Sequence, residues 1–187
     1  MNYAANSWEA RELASTLHTF TDLPALDASG PLVLERGQGI YVYDVHGKRY
    51  LEGNSGLWNI VLGYDNAKLI DAATAQYKKL PAYHNFFGRN SQPGIELAER
   101  LKAVAPAPMS RVFFTNSGSE ANDSAVKLLW LMHGGAGQPK RRKIISRINA
   151  YHGVTVMTAS LTGKDYVKPF GLPLPEVVFA DCPHHWR

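Results

Sequence analysis

Cysteine is almost absent from this chain of 187 residues: Cys182 stands alone, so no internal disulfide can form, and a solitary thiol fits a reducing compartment. No run of about 18 apolar residues occurs, so no membrane-spanning helix is expected. The opening stretch, MNYAANSWEARELAS, carries charges where a signal peptide needs apolar residues, and a cytoplasmic address is the expectation. Internal repeats and low-complexity tracts are missing too. Charged residues reach only 19% and hydrophobic residues 45%, the balance of an ordinary globular protein with room for one sizeable domain. The net charge of +4 does not point to nucleic acid, because the basic residues are scattered. Their densest run, Lys140-Arg141-Arg142-Lys143, reads as a solvated loop before a strand.

Nucleotide and metal signatures are also lacking. A phosphate loop needs Gly five residues ahead of Gly-Lys, then Ser or Thr. Gly47-Lys48 has Val42 ahead and Arg49 behind, and Gly163-Lys164 has Thr158 ahead and Asp165 behind, so both fail. No G-x-G-x-x-G follows a strand. Asp181, Cys182, His184 and His185 are of metal-ligand type. Adjacent histidines on an extended segment point opposite ways, however, and no second ligand pair lies upstream, so no metal site is expected.

What is present is an ordered alternation of patterns. Asn6, followed by Glu9 with Trp8, Leu13 and Leu17, predicts a capped helix, and a loop rich in Thr, Asp, Ser and Pro follows over 19–30. Three β-like runs, 32–36, 40–44 and 49–52, are separated by Gly37, Gly39 and Gly47, and predict an antiparallel meander. Helical spacing then marks 66–80 and a second helix from Pro93. The apolar run Val112-Phe113-Phe114-Thr115 reads as a strand feeding a helix from Ser119 to His133. Further strands are expected at 143–146 and 176–179, with a turn at 149–153 and a helical stretch between. Strands alternating with helices imply an α/β sheet, mostly parallel.

The segment Phe113-Phe114-Thr115-Asn116-Ser117-Gly118-Ser119-Glu120-Ala121-Asn122 carries the most chemistry. A strand, a small-residue turn and a helix start gather free backbone N–H groups at the positive end of a helix dipole. A phosphate fits there, Gly118 permits close approach, and the Ser119 hydroxyl can add a hydrogen bond. The same residues also read as a simple N-cap, with Ser117 or Ser119 capping and Glu120 favoured by the dipole. Residues alone leave both readings open. Tyr151 and Trp58 likewise read either as ligand contacts or as ordinary packed aromatics. Phe86, Phe87 and Tyr83 read as core packing, and His152 as structural.

That segment is similar to the cofactor-phosphate segment of class III (omega-type) aminotransferases. Ala150-Tyr151-His152-Gly153 resembles the family's Tyr-His-Gly segment, and Gly56-Leu57-Trp58 resembles its omega-branch pocket segment. Phe86-Phe87 and Leu172-Pro173-Leu174-Pro175 fall in family order, and the resemblance runs from about residue 8 to 182. It implies the N-terminal part of the type I PLP-dependent transferase fold: a small antiparallel sheet from the minor domain over 1–60, and an incomplete, mostly parallel major-domain sheet over 61–187. It implies pyridoxal 5'-phosphate as cofactor, with Gly118 and Ser119 on the phosphate, Tyr151 over the pyridine ring and Trp58 as a wall of the substrate pocket. The partners implied are an amine or omega-amino acid donor, a keto acid acceptor such as pyruvate, and a second copy in a full-length homodimer.

The resemblance also implies a gap. None of the ten lysines, at 48, 68, 78, 79, 102, 127, 140, 143, 164 and 168, lies in a segment like the family's Schiff-base lysine motif. No catalytic residue is therefore assigned, and a truncated or split member, inactive alone, is the expectation. The alternative is a non-catalytic fragment that binds a phosphorylated ligand or a partner subunit.

Overall fold

The structure, a computed structural model, describes residues 3–184. His185, the last residue of the weak metal-ligand cluster, lies outside them. The chain divides into two compact units, Met1–Ser91 and Gln92–Arg187.

In the first unit, α1 (Trp8–Ser15) is capped one residue later than expected. Ser7 caps it, accepting the Ala10 N–H at 3.2 Å, while Asn6 takes the left-handed conformation that asparagine tolerates. The expected loop over 19–30 instead contains a second helix, α2 (Leu23–Ser29). Asp22 caps it by accepting the Ala25 N–H at 3.1 Å, and Pro24 sits in its first turn. There a missing N–H costs nothing and a fixed φ suits the helix.

The meander is present as β1 (Leu34–Gln38), β2 (Tyr41–Asp44) and β3 (Arg49–Leu51), paired antiparallel in that order. Side chains alternate as a strand requires. Val42 and Asp44 are buried on one face; Tyr43 lies under the Arg36 guanidinium and Tyr41 under that of Arg49 on the other. Asp44 is a buried anion satisfied by three donors: the His46 and Lys48 N–H groups, each at 2.9 Å, and the Tyr50 hydroxyl at 2.8 Å. Glu9 of α1, also buried, accepts from the His46 ring and so joins the helix to the β2–β3 turn. A short turn, α3 (Ser55–Trp58), and α4 (Ala67–Lys79), capped by Asn66, complete the regular elements of the unit.

The second unit contains α5 (Gln92–Val104), α6 (Gly118–Gly135), β4 (Ile144–Arg147), α7 (Val156–Leu161), a 3-10 turn (Asp165–Phe170) and β5 (Val177–Ala180). β4 and β5 pair in parallel, with Ile144 opposite Val177 and Arg147 opposite Ala180, and the helical connection between them makes a βαβ unit. Val126, Leu161 and Val177 form its core, with Trp130, Ile144 and Met157 packed against them. Burial of side chains of this kind stabilises by about 1.5–3 kcal/mol each. The expected strand at 112–115 has no ladder partner among the described residues and runs as irregular chain into α6. The cluster of Phe86 and Phe87 is not core either. Phe87 is 90% exposed, on a loop without regular structure.

Candidate functional site

The site is built at the head of α6. Ser117 is the cap: its backbone is extended and its hydroxyl accepts the Glu120 N–H at 3.1 Å. The Glu120 carboxylate turns back to accept the Asn116 N–H at 2.8 Å. With Ser117 in that role, Ser119 is free for another, and its hydroxyl oxygen accepts the Val154 N–H at 3.0 Å. The Ser119 hydroxyl proton remains available to an incoming acceptor. Among the described residues, neither the Gly118 nor the Ser119 amide donates to a protein acceptor. A Cβ placed on Gly118 would meet nothing within 4 Å, so open space lies before it. Two free amides, a hydroxyl donor and the positive end of an 18-residue helix therefore face an accessible volume.

Three hydrogen bonds fasten the Tyr151–Thr155 segment to this helix start. Besides the Ser119 contact, the Asn122 side-chain amide donates to the His152 carbonyl at 2.9 Å, and the Thr155 hydroxyl donates to the Asp123 carboxylate at 2.8 Å. Gly153 sits where the two segments touch. A Cβ there would lie 2.4 Å from the Ser119 hydroxyl oxygen, and its φ of +133° is one that other residues rarely adopt. Thr155 also opens α7 with a reciprocal capping box, exchanging hydrogen bonds with Thr158. His152 contributes through its backbone, its N–H reaching the Thr162 hydroxyl at 3.1 Å.

Tyr151, 56% exposed, stands on the fastened segment, and its ring is accessible. Beside it the Tyr166 hydroxyl is held above its ordinary pKa, first by burial and then by the proximity of Tyr151. The second unit also has a half-open, mainly apolar pocket of about 360 Å³ lined by Ile148, Val167, Leu172 and Phe179 among others; Gly118, Ser119 and Tyr151 take no part in it. The candidate cradle is thus an open surface. Sequence reasoning placed Gly118, Ser119 and Tyr151 in it, but missed Asn122, Asp123, Gly153 and Thr155, which hold it together. The pairing of Asn122 with His152 spans 30 residues, so no local pattern could have revealed it.

Trp58 lies in the first unit, 81% exposed and not packed in a core. It ends a turn in which Ser55, Gly56, Leu57 and Trp58 all have positive φ, between 50° and 72°.

The family model for class III aminotransferases matches residues 25–187. The chain belongs to the class III aminotransferases. Members of this family use pyridoxal phosphate. The chain is 47% identical over 159 residues to a probable gamma-aminobutyrate transaminase 3 of Oryza sativa subsp. indica, named as mitochondrial, covering 84% of the chain and 31% of that protein. It is 49% identical over 160 residues to gamma aminobutyrate transaminase 2 of Solanum lycopersicum, covering 84% and 35%. Among solved structures, a PMP-bound aminotransferase of Vibrio fluvialis superposes with a TM-score of 0.94 at 54% identity, covering 99% of this chain and 41% of that one. An omega-aminotransferase of Paracoccus denitrificans does so with the same score and identity over 97% and 40%. The chain therefore has the fold of the PLP-dependent aminotransferases, and spans about two fifths or less of the length of these relatives. No helix among the described residues is long and apolar enough to cross a membrane.

Proposed function

We propose that this chain supplies the cofactor-phosphate cradle and one wall of the substrate pocket to a transaminase that moves an amino group from an amine or omega-amino acid to a keto acid such as pyruvate. The observation that carries this reading is the head of α6, where Gly118 and Ser119 present unused donors and three hydrogen bonds hold the Tyr151 segment beside them. A phosphate monoester would take the two amides and the Ser119 hydroxyl proton. Tyr151 would lie against a flat, electron-poor ring, a contact worth about 0.5–1.5 kcal/mol beyond area burial. Pyridoxal phosphate bound there supplies the electron sink that amino-group transfer requires. Trp58 would limit the size of the donor's side chain.

The plant relatives are named for gamma-aminobutyrate, an omega-amino acid, which supports that donor class. One of the similar Pseudomonas jessenii structures is a tryptophan-to-glycine variant engineered for synthesis of bulky amines, which supports a size-limiting tryptophan in a related pocket. The division into a minor-domain part over 1–60 and a major-domain part over 61–187, a cytoplasmic address and a homodimer in the full-length form complete the reading. The lysine that carries the cofactor belongs to sequence other than these residues, and the 187-residue chain alone is inactive. A fragment that only holds a phosphorylated ligand or a partner subunit is the alternative.

The test is an amino-transfer assay of the protein in its complete form, with gamma-aminobutyrate, beta-alanine or a diamine as donor and pyruvate as acceptor. Alanine formation is expected. Exclusive use of acetylornithine would overturn the omega-type assignment, and no transfer with any donor would favour the binding fragment.

A further inference from the structure

The turn that ends in Trp58 is strained. Left-handed helical backbone is unfavourable for side chains with a Cβ, which crowds the following carbonyl oxygen. Here Ser55, Leu57 and Trp58 adopt it in one run, with only Gly56 suited to it. Local hydrogen bonds close the turn: the Trp58 N–H to the Asn54 carbonyl at 2.9 Å, and the Asn59 and Ile60 N–H groups to the Ser55 carbonyl at 3.0 and 2.8 Å. Such bonds close a right-handed turn equally well, so they do not choose the hand. Something outside the turn must over-determine it.

The neighbouring contacts identify that restraint. The loop leaving the turn is stapled to the β1–β2 hairpin at two places. The Tyr64 N–H donates to the Gly39 carbonyl at 3.0 Å, and the Gly39 N–H donates to the Asp65 carboxylate at 3.0 Å. Between the staples the Tyr64 ring is seated directly on Gly37. A Cβ at residue 37 would fall 2.3 Å from the first ring carbon and 2.6 Å from the next, so only glycine admits the ring. The far end of the same side chain reaches the turn. The Tyr64 hydroxyl oxygen lies 3.5 Å from where a Cβ on Gly56 would stand, and Asn59 and Ile60 close on the same point at 2.9 and 3.0 Å. Tyr64 is half-buried and bridges hairpin and turn.

We propose that Tyr64, seated on Gly37, is a positioning residue that holds the left-handed turn and thereby fixes where Trp58 is presented. Its consequence for substrate size rests on the reading of Trp58 as a pocket wall. A glycine in β1 that touches no substrate then governs which amines the enzyme accepts.

The test separates the two claims. Limited chymotrypsin digestion of the protein, read by mass spectrometry, reports opening of the turn through cleavage after Leu57 and Trp58. Cleavage after the exposed Tyr151, in the other unit, reports general loosening. Gly37→Ala, which ejects the ring, and Tyr64→Ala, which removes it, should each speed cleavage at 57–58 by about ten-fold, as expected when local opening governs cutting. Cleavage at Tyr151 should not change. Tyr64→Phe, which keeps the ring seated on Gly37 but removes the hydroxyl that reaches the turn, should speed cleavage at 57–58 by less than either alanine variant. Unchanged cleavage at 57–58 in both alanine variants, or acceleration at Tyr151 equal to that at 57–58, would overturn the proposal. In the complete enzyme the ratio of kcat/KM for a bulky and a small amine should shift in the same two alanine variants, and by less in Tyr64→Phe. An opened turn with an unmoved ratio would leave the positioning role standing and remove Trp58 as a pocket wall.

Discussion

At the scale of single residues, two serines two positions apart divide the work at the start of α6. Ser117 satisfies the helix, and Ser119 is left with a proton to give. Ser119→Ala should therefore weaken pyridoxal phosphate binding by about 1.5–3 kcal/mol, the value of a hydrogen bond to a charged group. Cofactor titration by absorbance checks this, and unchanged affinity would remove Ser119 from the cradle. Tyr151→Ala should weaken binding of the cofactor and leave inorganic phosphate binding nearly as it was, because only the ring contact is lost. The buried carboxylates of the first unit give a pH prediction. Glu9 is held below its ordinary pKa by backbone hydrogen bonding and by His46. For Asp44, burial pushes the pKa up, but the bonds from Tyr50, Lys48 and His46 outweigh it and the net shift is downward. A lowered folded-state pKa stabilises fully above the unfolded value, and that stability is lost as pH falls through the folded value. Thermal midpoints should hold down to the ordinary carboxylate range and then fall with further acidification. Glu9→Gln should flatten part of that decline; an identical profile in the variant would refute the assignment.

At the scale of elements, Thr155 makes the fastening of the site most exposed to test, since it both caps α7 and bonds Asp123 of α6. Thr155→Val should cost about 1–2 kcal/mol from the lost cap and bond together, with Thr155→Ser close to native, as chemical denaturation would show. The same elements show what was legible in the sequence. Glycines at 39 and 47 take the positive φ that tight turns need, and the alternation between them is real, so the meander could be read directly. The helix start at α6 was readable because Ser-x-x-Glu is a local signal. α2 was hidden by its own cap and proline, which resemble loop composition. The run 112–115 has strand composition, but a strand exists only with a neighbour to pair with, and pairing is not a property of the run itself. The left-handed turn at Ser55–Trp58 was illegible for the same reason. Three of its four residues disfavour that conformation, and what holds it comes from β1 and from Tyr64.

At the scale of the whole molecule, large apolar side chains stand exposed along α5 and α6, Leu131 at 73% among them. Surfaces of that kind in a soluble fold are covered by something. Expressed alone, the 187-residue chain should melt over a broad range and bind a hydrophobic dye; a sharp, cooperative transition in a monomer would count against this. The chain superposes over nearly its full length on relatives of which it spans about two fifths; under the proposed function it supplies the cradle and one wall, and the lysine that carries the cofactor lies elsewhere. The most direct test is borohydride reduction of the complete protein loaded with pyridoxal phosphate, followed by peptide mapping. One stoichiometrically labelled lysine is expected, lying outside residues 1–187, with no stoichiometric label on any of the ten lysines within them. A single fully labelled lysine among those ten would contradict this reading.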